Sequence, residues 1–362
     1  MYQGKKVALV VPAYNEETQV GWMLKSVPAF VDRIFVVDDA SRDATVRRAE
    51  EADPRVEVIV HEHNQGVGAA IVTGYRKAAD EVYDVTAVMA ADGQMDPDDL
   101  ETLVRAVANG ECDYAKANRL FTGQAWNLIP RARYLGNAAL SFLTKIASGY
   151  WHVADSQSGY TAVSLETLRL LDLDRLYPRY GFPNDILVHL NVWSRRVRDY
   201  PSRPIYGVGE RSGIRLRKVI PRISWLLLKG FFWRMKEKYV IRDFHPLVLF
   251  YVLGLALASV GVALGVFETV LRIGGSPIPV ATIVLVALLA ISGLQLLLFA
   301  MWFDMESNKH LHTQALGYAQ PGALPAGTVV VYAPPHLAPP PEILAAASAG
   351  SARTLPASQS RV

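Results

Sequence analysis

Along the first 120 residues, short apolar runs alternate with longer amphipathic stretches. The runs cover residues 7–11, 33–37, 56–60, 85–89 and 114–117, and between them lie 19–30, 44–52, 69–79 and 98–108. Runs of four or five residues without polar alternation suit strands covered on both faces, and the longer segments suit crossover helices. The pattern predicts an α/β domain with a mostly parallel sheet, helices on both faces, and ligands outside the carboxyl ends of the strands.

Polar residues collect at those predicted strand ends. They are Tyr14-Asn15-Glu16-Glu17, then Asp38-Asp39-Ala40-Ser41-Arg42-Asp43, then Asn64-Gln65-Gly66-Val67-Gly68, then Asp92-Gly93-Gln94-Met95-Asp96. Singly, each has an ordinary use: Asp43 as a helix cap, Gly66 and Gly68 as a turn, Asp96 to Asp99 as a charged helix start. Together they point to a nucleotide, because carboxylates accept hydrogen bonds from ribose hydroxyls and base edges, and others hold a divalent metal against phosphates. No Gly-x-Gly-x-x-Gly follows the first run and no Gly-x-x-x-x-Gly-Lys-Ser/Thr occurs, which speaks against NAD and against a P-loop.

The later chain is of another kind. From Pro246 to Phe267, 22 residues carry no charge; as a helix they reach roughly 33 Å, against a hydrocarbon core of about 30 Å. A second uncharged run extends from Ile273 to Phe303 after a Gly-Gly-Ser-Pro connection. Two membrane helices, at about 246–267 and 279–303, are expected in place of a buried pair in a soluble core.

Charge sharpens this division. Residues 211–243 hold ten Lys or Arg against Glu237 and Asp243, so this stretch carries +8 and, with the chain at +3, the remainder carries −5. Ile223, Trp225, Leu226, Leu227, Leu228, Phe231, Phe232 and Trp233 are interleaved with Lys229, Arg234, Lys236 and Lys238, the composition of helices lying in the headgroup layer. Lipid phosphate, not nucleic acid, is the expected partner of this band. The hairpin loop holds only Arg272, so the positive-inside rule places the N-terminal domain and the C-terminus on the cytoplasmic side. The positive mean hydropathy of +0.16 belongs largely to the two spans. Cys112 is the single cysteine, and no leader pattern precedes the first strand-like run, so the bulk reads as cytosolic. Residues 313–362, with eight of the 21 prolines and three charges, are expected to be disordered. The organisation read from this is an α/β domain over 1–212, basic amphipathic juxtamembrane helices over 213–244, two spans within 245–304, and the tail.

Val10-Val11-Pro12-Ala13-Tyr14-Asn15-Glu16-Glu17, Val36-Val37-Asp38-Asp39-Ala40-Ser41, Asn64-Gln65-Gly66-Val67-Gly68, Ala91-Asp92-Gly93-Gln94, Asn118-Arg119 and Asp155-Ser156-Gln157-Ser158-Gly159-Tyr160 follow one another as do the motifs of family 2 glycosyltransferases. The set resembles the dolichyl-phosphate mannose synthase and polyprenyl-phosphate glycosyltransferase type and covers about residues 5–215. The resemblance implies a GT-A fold and an inverting transfer of a hexose from a nucleotide-sugar of the GDP-mannose or UDP-glucose type to a polyprenyl phosphate. It implies that Pro12, Tyr14, Glu16, Val37, Asp39, Ala91, Asp92 and Gln94 bind the donor, and that Asp92 and Gln94 hold Mg2+ or Mn2+. Ala90 stands where the family carries the first Asp of its Asp-x-Asp. Arg119, Arg133 and Asn137, with Arg211 as a looser candidate, match positions that bind the acceptor phosphate; an Arg fork suits phosphate oxygens. A phosphate acceptor is already ionised and needs no general base. Asp185 therefore serves as a base only if the acceptor is a hydroxyl, as in an enzyme extending a polysaccharide or glycolipid. A non-catalytic nucleotide-sugar sensor is the remaining alternative, and a homo-oligomer stays open.

Overall fold

The apolar runs form strands of one sheet in the computed structural model, which describes residues 1–120, 131–202, 205 and 216–312. The strands are β1 (Val7–Ala13), β2 (Arg33–Asp38), β3 (Val56–Val60), β4 (Val85–Val88), β5 (Tyr114–Asn118), β6 (Thr161–Ser164) and β7 (Val197–Pro201). Their order is β3-β2-β1-β4-β6-β5-β7, parallel throughout except that β6 runs antiparallel to both β4 and β5. The helices are α1 (Val20–Lys25), α2 (Thr45–Glu50), α3 (Val67–Asp80), α4 (Leu100–Ala108), α5 (Arg131–Ser148), α6 (Leu165–Leu170), α7 (Phe182–Val192), α8 (Leu216–Lys236), α9 (Leu247–Ile273) and α10 (Val280–Ser307). This is the expected GT-A-like α/β domain followed by two apolar helices that fit a hairpin.

Every position of β1 is buried, because alternate side chains enter different cores. Leu9 and Val11 pack with Met23 and Leu24 of α1 and Leu103 of α4. Val10 faces the other way, with Tyr75 of α3 and Ile186 of α7. The strand order reverses between β1 and β4, and the crevice at their carboxyl ends is the natural ligand site of such a sheet.

The glycines after β3 answer to a close approach of backbone. Gly66 has φ 105°, and a Cβ on Gly68 would lie 2.4 Å from the Tyr177 carbonyl oxygen and 2.8 Å from the Pro178 carbonyl carbon. The segment before α7 thus lies directly on the start of α3, where the Ala69 N–H donates to the Pro178 carbonyl at 3.0 Å. Gly68→Ala should cost about 1–3 kcal/mol by overpacking. Gly21→Ala, whose Cβ would sit 3.8 Å from its nearest neighbour inside α1, should be neutral or stabilising. Thermal denaturation of the two variants tests the contrast.

The hairpin helices run longer than the expected spans 246–267 and 279–303, at 27 and 28 residues. They continue past Glu268 and Arg272 to the turn at Gly274–Gly275, and past Asp304 at the other end. Only 22% and 11% of their most apolar windows are buried within the protein, unlike the core helices of a soluble domain. They meet through small residues: a Cβ on Gly254 would lie 3.0 Å from the Leu297 nitrogen, and one on Gly293 2.4 Å from the Ala258 nitrogen. Such residues let apolar helices approach where no hydrophobic force drives them together.

α8 lies against α5 and α7 through Ile223, Leu227, Leu140 and Val188 and leaves Trp225, Leu228 and Phe232 exposed. The Lys229 ammonium sits over the Trp225 ring at 5.3 Å. The amphipathic segment expected at the headgroup layer is one long helix with a π turn at Glu237–Arg242. Two of its cations depart from expectation. Arg234 and Lys238 are buried in protein, because both find acceptors on neighbouring helices. The tail and Arg211 lie outside the described residues.

Candidate active site

The loops leaving β1 and β2 are laced together. The Asn15 N–H donates to Ser41 Oγ at 2.8 Å and the Arg42 N–H returns to Asn15 Oδ1 at 2.9 Å. The Glu16 N–H donates to Thr45 Oγ1 at 2.8 Å. Asn15 (φ 56°) and Ala40 (φ 64°) hold left-handed backbone here, a conformation costly for non-glycine residues and concentrated at functional sites. Pro12 and Val37 are buried at their strand ends, while Tyr14 stands exposed at the rim.

Asp39 is turned to an internal task. It is 3% exposed, and its carboxylate accepts the Gln65 and Gly66 N–H groups, each at 2.8 Å. His61 Nδ1 lies 2.9 Å from the same carboxylate. The loops after β2 and β3 are thereby held together. Its neighbour Asp38 accepts the Ser41 N–H with one oxygen, and its other oxygen is buried without a hydrogen-bond partner among the described residues. Asp38 was legible as one of the strand-end acids, but not as the one left with a buried, unsatisfied oxygen.

Asp92 ends the loop after β4. Its Oδ1 accepts the Gln94 N–H at 3.0 Å, closing a tight turn in which Gly93 has φ 70° and lies under the Trp22 ring. Ala91 is buried and Gln94 half-buried beside it. The Ala90 N–H donates to the Met95 sulfur at 3.2 Å. Asp96 starts the next helix, its Oδ1 accepting the Asp98 N–H at 3.0 Å. From the other side of the crevice comes Glu16. Burial, and then the charges of Asp92 and Asp43, push its carboxyl up to about 7. Glu16 and Asp92 thus form a coupled acidic pair drawn from two different strand ends.

At the carboxyl end of β5, Arg119 Nε donates to Asp155 Oδ2 at 2.8 Å and Nη2 to Oδ1 at 3.2 Å. Burial alone would raise the Asp155 carboxyl, but Arg119 and Lys116 outweigh it and hold it below the usual range. Lys116 lies underneath, wholly buried, donating to the Ser158 carbonyl; burial brings its ammonium down to about 8. Asp199 completes the cluster, accepting the Ala154 N–H at 2.7 Å and pushed up to about 6 by burial. Arg133 and Asn137 belong to the first turns of α5; their side chains lie outside the described part.

Asp185, in the first turn of α7, accepts the Tyr177 N–H at 2.8 Å and so anchors the segment that crosses Gly66 and Gly68. Burial raises its carboxyl from 3.8 to about 6. The folded protein therefore binds the extra proton between those values, and stability declines as pH rises through about 4 to 6, by about 3 kcal/mol in all. Asp185→Asn keeps an oxygen for Tyr177 and should remove that part of the decline, read as Tm against pH. It should retain transfer activity within about tenfold, whereas loss of a general base would exceed that, since such groups contribute about 10²–10⁴-fold.

The family model described as glycosyl transferase family 2 matches residues 8–169. The UDP-N-acetylglucosamine–dolichyl-phosphate N-acetylglucosaminyltransferase of Methanococcus voltae is 30% identical over 218 residues, spanning 56% of this chain and 86% of that protein. The undecaprenyl-phosphate mannosyltransferase of Micrococcus luteus is 32% identical over 206 residues, 54% of this chain and 82% of that one. Among solved structures, glucosyl-3-phosphoglycerate synthase from Mycobacterium tuberculosis, in complex with Mn2+, UDP and phosphoglyceric acid, is 18% identical with a TM-score of 0.49. That match covers 64% of this chain and 78% of that one.

Proposed function

The chain belongs to glycosyl transferase family 2, and from that premise we propose that it moves one hexose, with inversion, from a nucleotide-sugar to a polyprenyl phosphate at the cytoplasmic face of a membrane. The observation that carries this reading is the joining, in one chain, of the transferase domain to a two-helix apolar hairpin through an amphipathic helix with exposed Trp225, Leu228 and Phe232. An acceptor that partitions into the membrane suits that arrangement, and both relatives act, by name, on polyprenyl or dolichyl phosphates.

The chemistry follows from the two ends of the crevice. Pro12, Tyr14, Glu16, Val37, Asp39, Ala91, Asp92 and Gln94, at or just beyond the ends of β1, β2 and β4, are assigned to the donor. Arg119, with Arg133, Asn137 and Arg211, is assigned to the acceptor phosphate. A phosphate oxygen, ionised at neutral pH, attacks the anomeric carbon; the bond to the diphosphate breaks on the opposite side and its electrons leave with the nucleoside diphosphate. No side chain has to remove a proton, which agrees with Asp185 being engaged by Tyr177. Orientation of the two reactants is the protein's main contribution.

The residues fit a divalent cation. Asp92, with Gln94 two residues on, offers the hard oxygen donors that Mg2+ or Mn2+ prefers. Among the described residues no three His, Cys, Asp or Glu side chains could enclose a metal ion, so the donor's diphosphate would have to supply further oxygens. Bound there, the ion would neutralise the departing diphosphate.

The test is a transfer assay with the full chain in vesicles containing a polyprenyl phosphate and a panel of radiolabelled nucleotide-sugars, with and without Mg2+ or Mn2+. Metal-dependent label in an organic-extractable product from one donor is the expected result. Label found only on hydroxyl acceptors would replace this reading with polysaccharide or glycolipid extension.

A further inference from the structure

Where α5, α7, α8, the π turn and α10 meet, six polar side chains form a closed, buried network far from the crevice in sequence and function. Arg234, wholly buried, donates from Nη1 and Nη2 to Asp304 Oδ1 and Oδ2, both at 2.8 Å. Its Nε donates to the Ala147 carbonyl at 2.7 Å and Nη2 to the Ile146 carbonyl at 3.1 Å. These are among the last carbonyls of α5, which have no partner within the helix. Tyr239 Oη donates to Asp304 Oδ1 at 2.7 Å, and Asn308 Nδ2 donates to Tyr239 Oη at 2.8 Å. Lys238 Nζ reaches Asn308 Oδ1 at 2.8 Å and both the carbonyl and Oδ1 of Asn191 at 3.0 Å. Space for the guanidinium is kept by Gly149, on which a Cβ would lie 2.6 Å from Arg234 Nη1.

A buried ion pair of this kind adds little stability over well-packed apolar groups, but it fixes direction where apolar surfaces slide. The apolar part of the contact between the hairpin and the domain could slide; the Arg234 fork cannot. α5 is an 18-residue helix, so roughly 26 Å long. It is pinned by Arg234 at one end and carries Arg133 and Asn137 at the other. We propose that Arg234 and Asp304 are positioning residues: they lock the membrane hairpin to the C-terminal end of α5, and α5 in turn sets the height and angle at which the acceptor-phosphate residues stand above the membrane. This rests on the proposed polyprenyl-phosphate acceptor for its consequence in activity, but not for the lock itself.

The test compares the wild type with Arg234→Met/Asp304→Leu, which removes both members of the ion pair together and leaves Lys238 its bonds to Asn191 and Asn308. Spin labels at Ala139→Cys on α5 and Ser276→Cys in the hairpin turn, both exposed, report the distance between the two; Cys112 is buried. The wild type should give one narrow distance distribution and the double variant a broad one. In the same preparations, KM for a long polyprenyl phosphate embedded in vesicles should rise at least tenfold, while kcat and KM for a short, water-soluble prenyl phosphate stay within twofold. An unchanged distribution in the folded double variant, or equal losses on both acceptors, overturns the proposal. If the wild type uses neither phosphate, the proposed function falls and the label distances still decide the lock. If the double variant does not insert, Tyr239→Phe, which removes one bond to Asp304, carries the same comparison with an expected two- to threefold rise in KM; no rise and no broadening overturns it.

Discussion

Asp92→Asn is expected to leave the protein folded and membrane-inserted while lowering transfer by on the order of 10²–10³-fold or more, the scale on which loss of one electrostatic stabiliser is felt. The substitution is nearly isosteric, and Asn keeps an oxygen to accept the Gln94 N–H that closes the turn, so the backbone around Gly93 has no reason to move. What is lost is the charge that stands against the donor's diphosphate and any ion bound to it. A second consequence gives a readout apart from turnover. Glu16 is pushed up to about 7 by burial, then by Asp92 and Asp43; without the Asp92 charge its carboxyl titrates at lower pH. Transfer assays at saturating donor, Tm, and a carboxyl titration of the two proteins check this. Wild-type turnover in Asp92→Asn would sink the assignment of the donor site.

Asp155→Ala should be the most destabilising single change in the transferase domain, costing about 3–5 kcal/mol. Asp155 is 2% exposed and is the common partner of two cations: Arg119 through the paired bonds of its guanidinium, and the buried Lys116 beneath it. Removing it leaves Lys116 with only Asp199, whose own carboxyl is held up at about 6 by burial. Arg119→Ala differs in kind. The Arg119 side chain is 37% exposed, and without it Lys116 still compensates Asp155, so the fold should lose far less. Its expected effect is on the acceptor: KM for the polyprenyl phosphate rises about 10- to 100-fold, the worth of charge-assisted hydrogen bonds of about 1.5–3 kcal/mol, with donor KM unchanged. Urea denaturation of both variants and acceptor kinetics of Arg119→Ala separate the two roles. Equal stability losses, or unchanged acceptor kinetics, would count against them.

How far the site could be read in advance depended on where each residue's partners come from. Asp96 as the start of a helix was legible because its partner, the Asp98 N–H, is two residues away. Asp39 was legible as a strand-end acid, but its engagement by His61, Gln65 and Gly66 was not, since it depends on how the β3 loop folds back. Gly66 and Gly68 were readable as a turn; that they clear a path for residues 177–179 was not. Arg234 was counted among the headgroup cations of a +8 stretch, yet it is wholly buried against Asp304, 70 residues further on.

The sequence by itself determined the parallel core, since strands buried on both faces must be apolar throughout and announce themselves as runs. It determined the two apolar helices for a similar reason: hydrocarbon tolerates no unpaired charge, and residues 246–267 and 279–303 carry none. Both are demands of the solvent on contiguous residues, and so are written contiguously. The tertiary structure alone decided β6 and β7, short strands that owe their place to β4 and β5. It alone also decided the pairing of Glu16 with Asp92, of Arg119 with Asp155, and of Arg234 with Asp304. Each joins residues dozens of positions apart, and a charge in a sequence carries no mark of which other charge, like or opposite, the fold will bring to it.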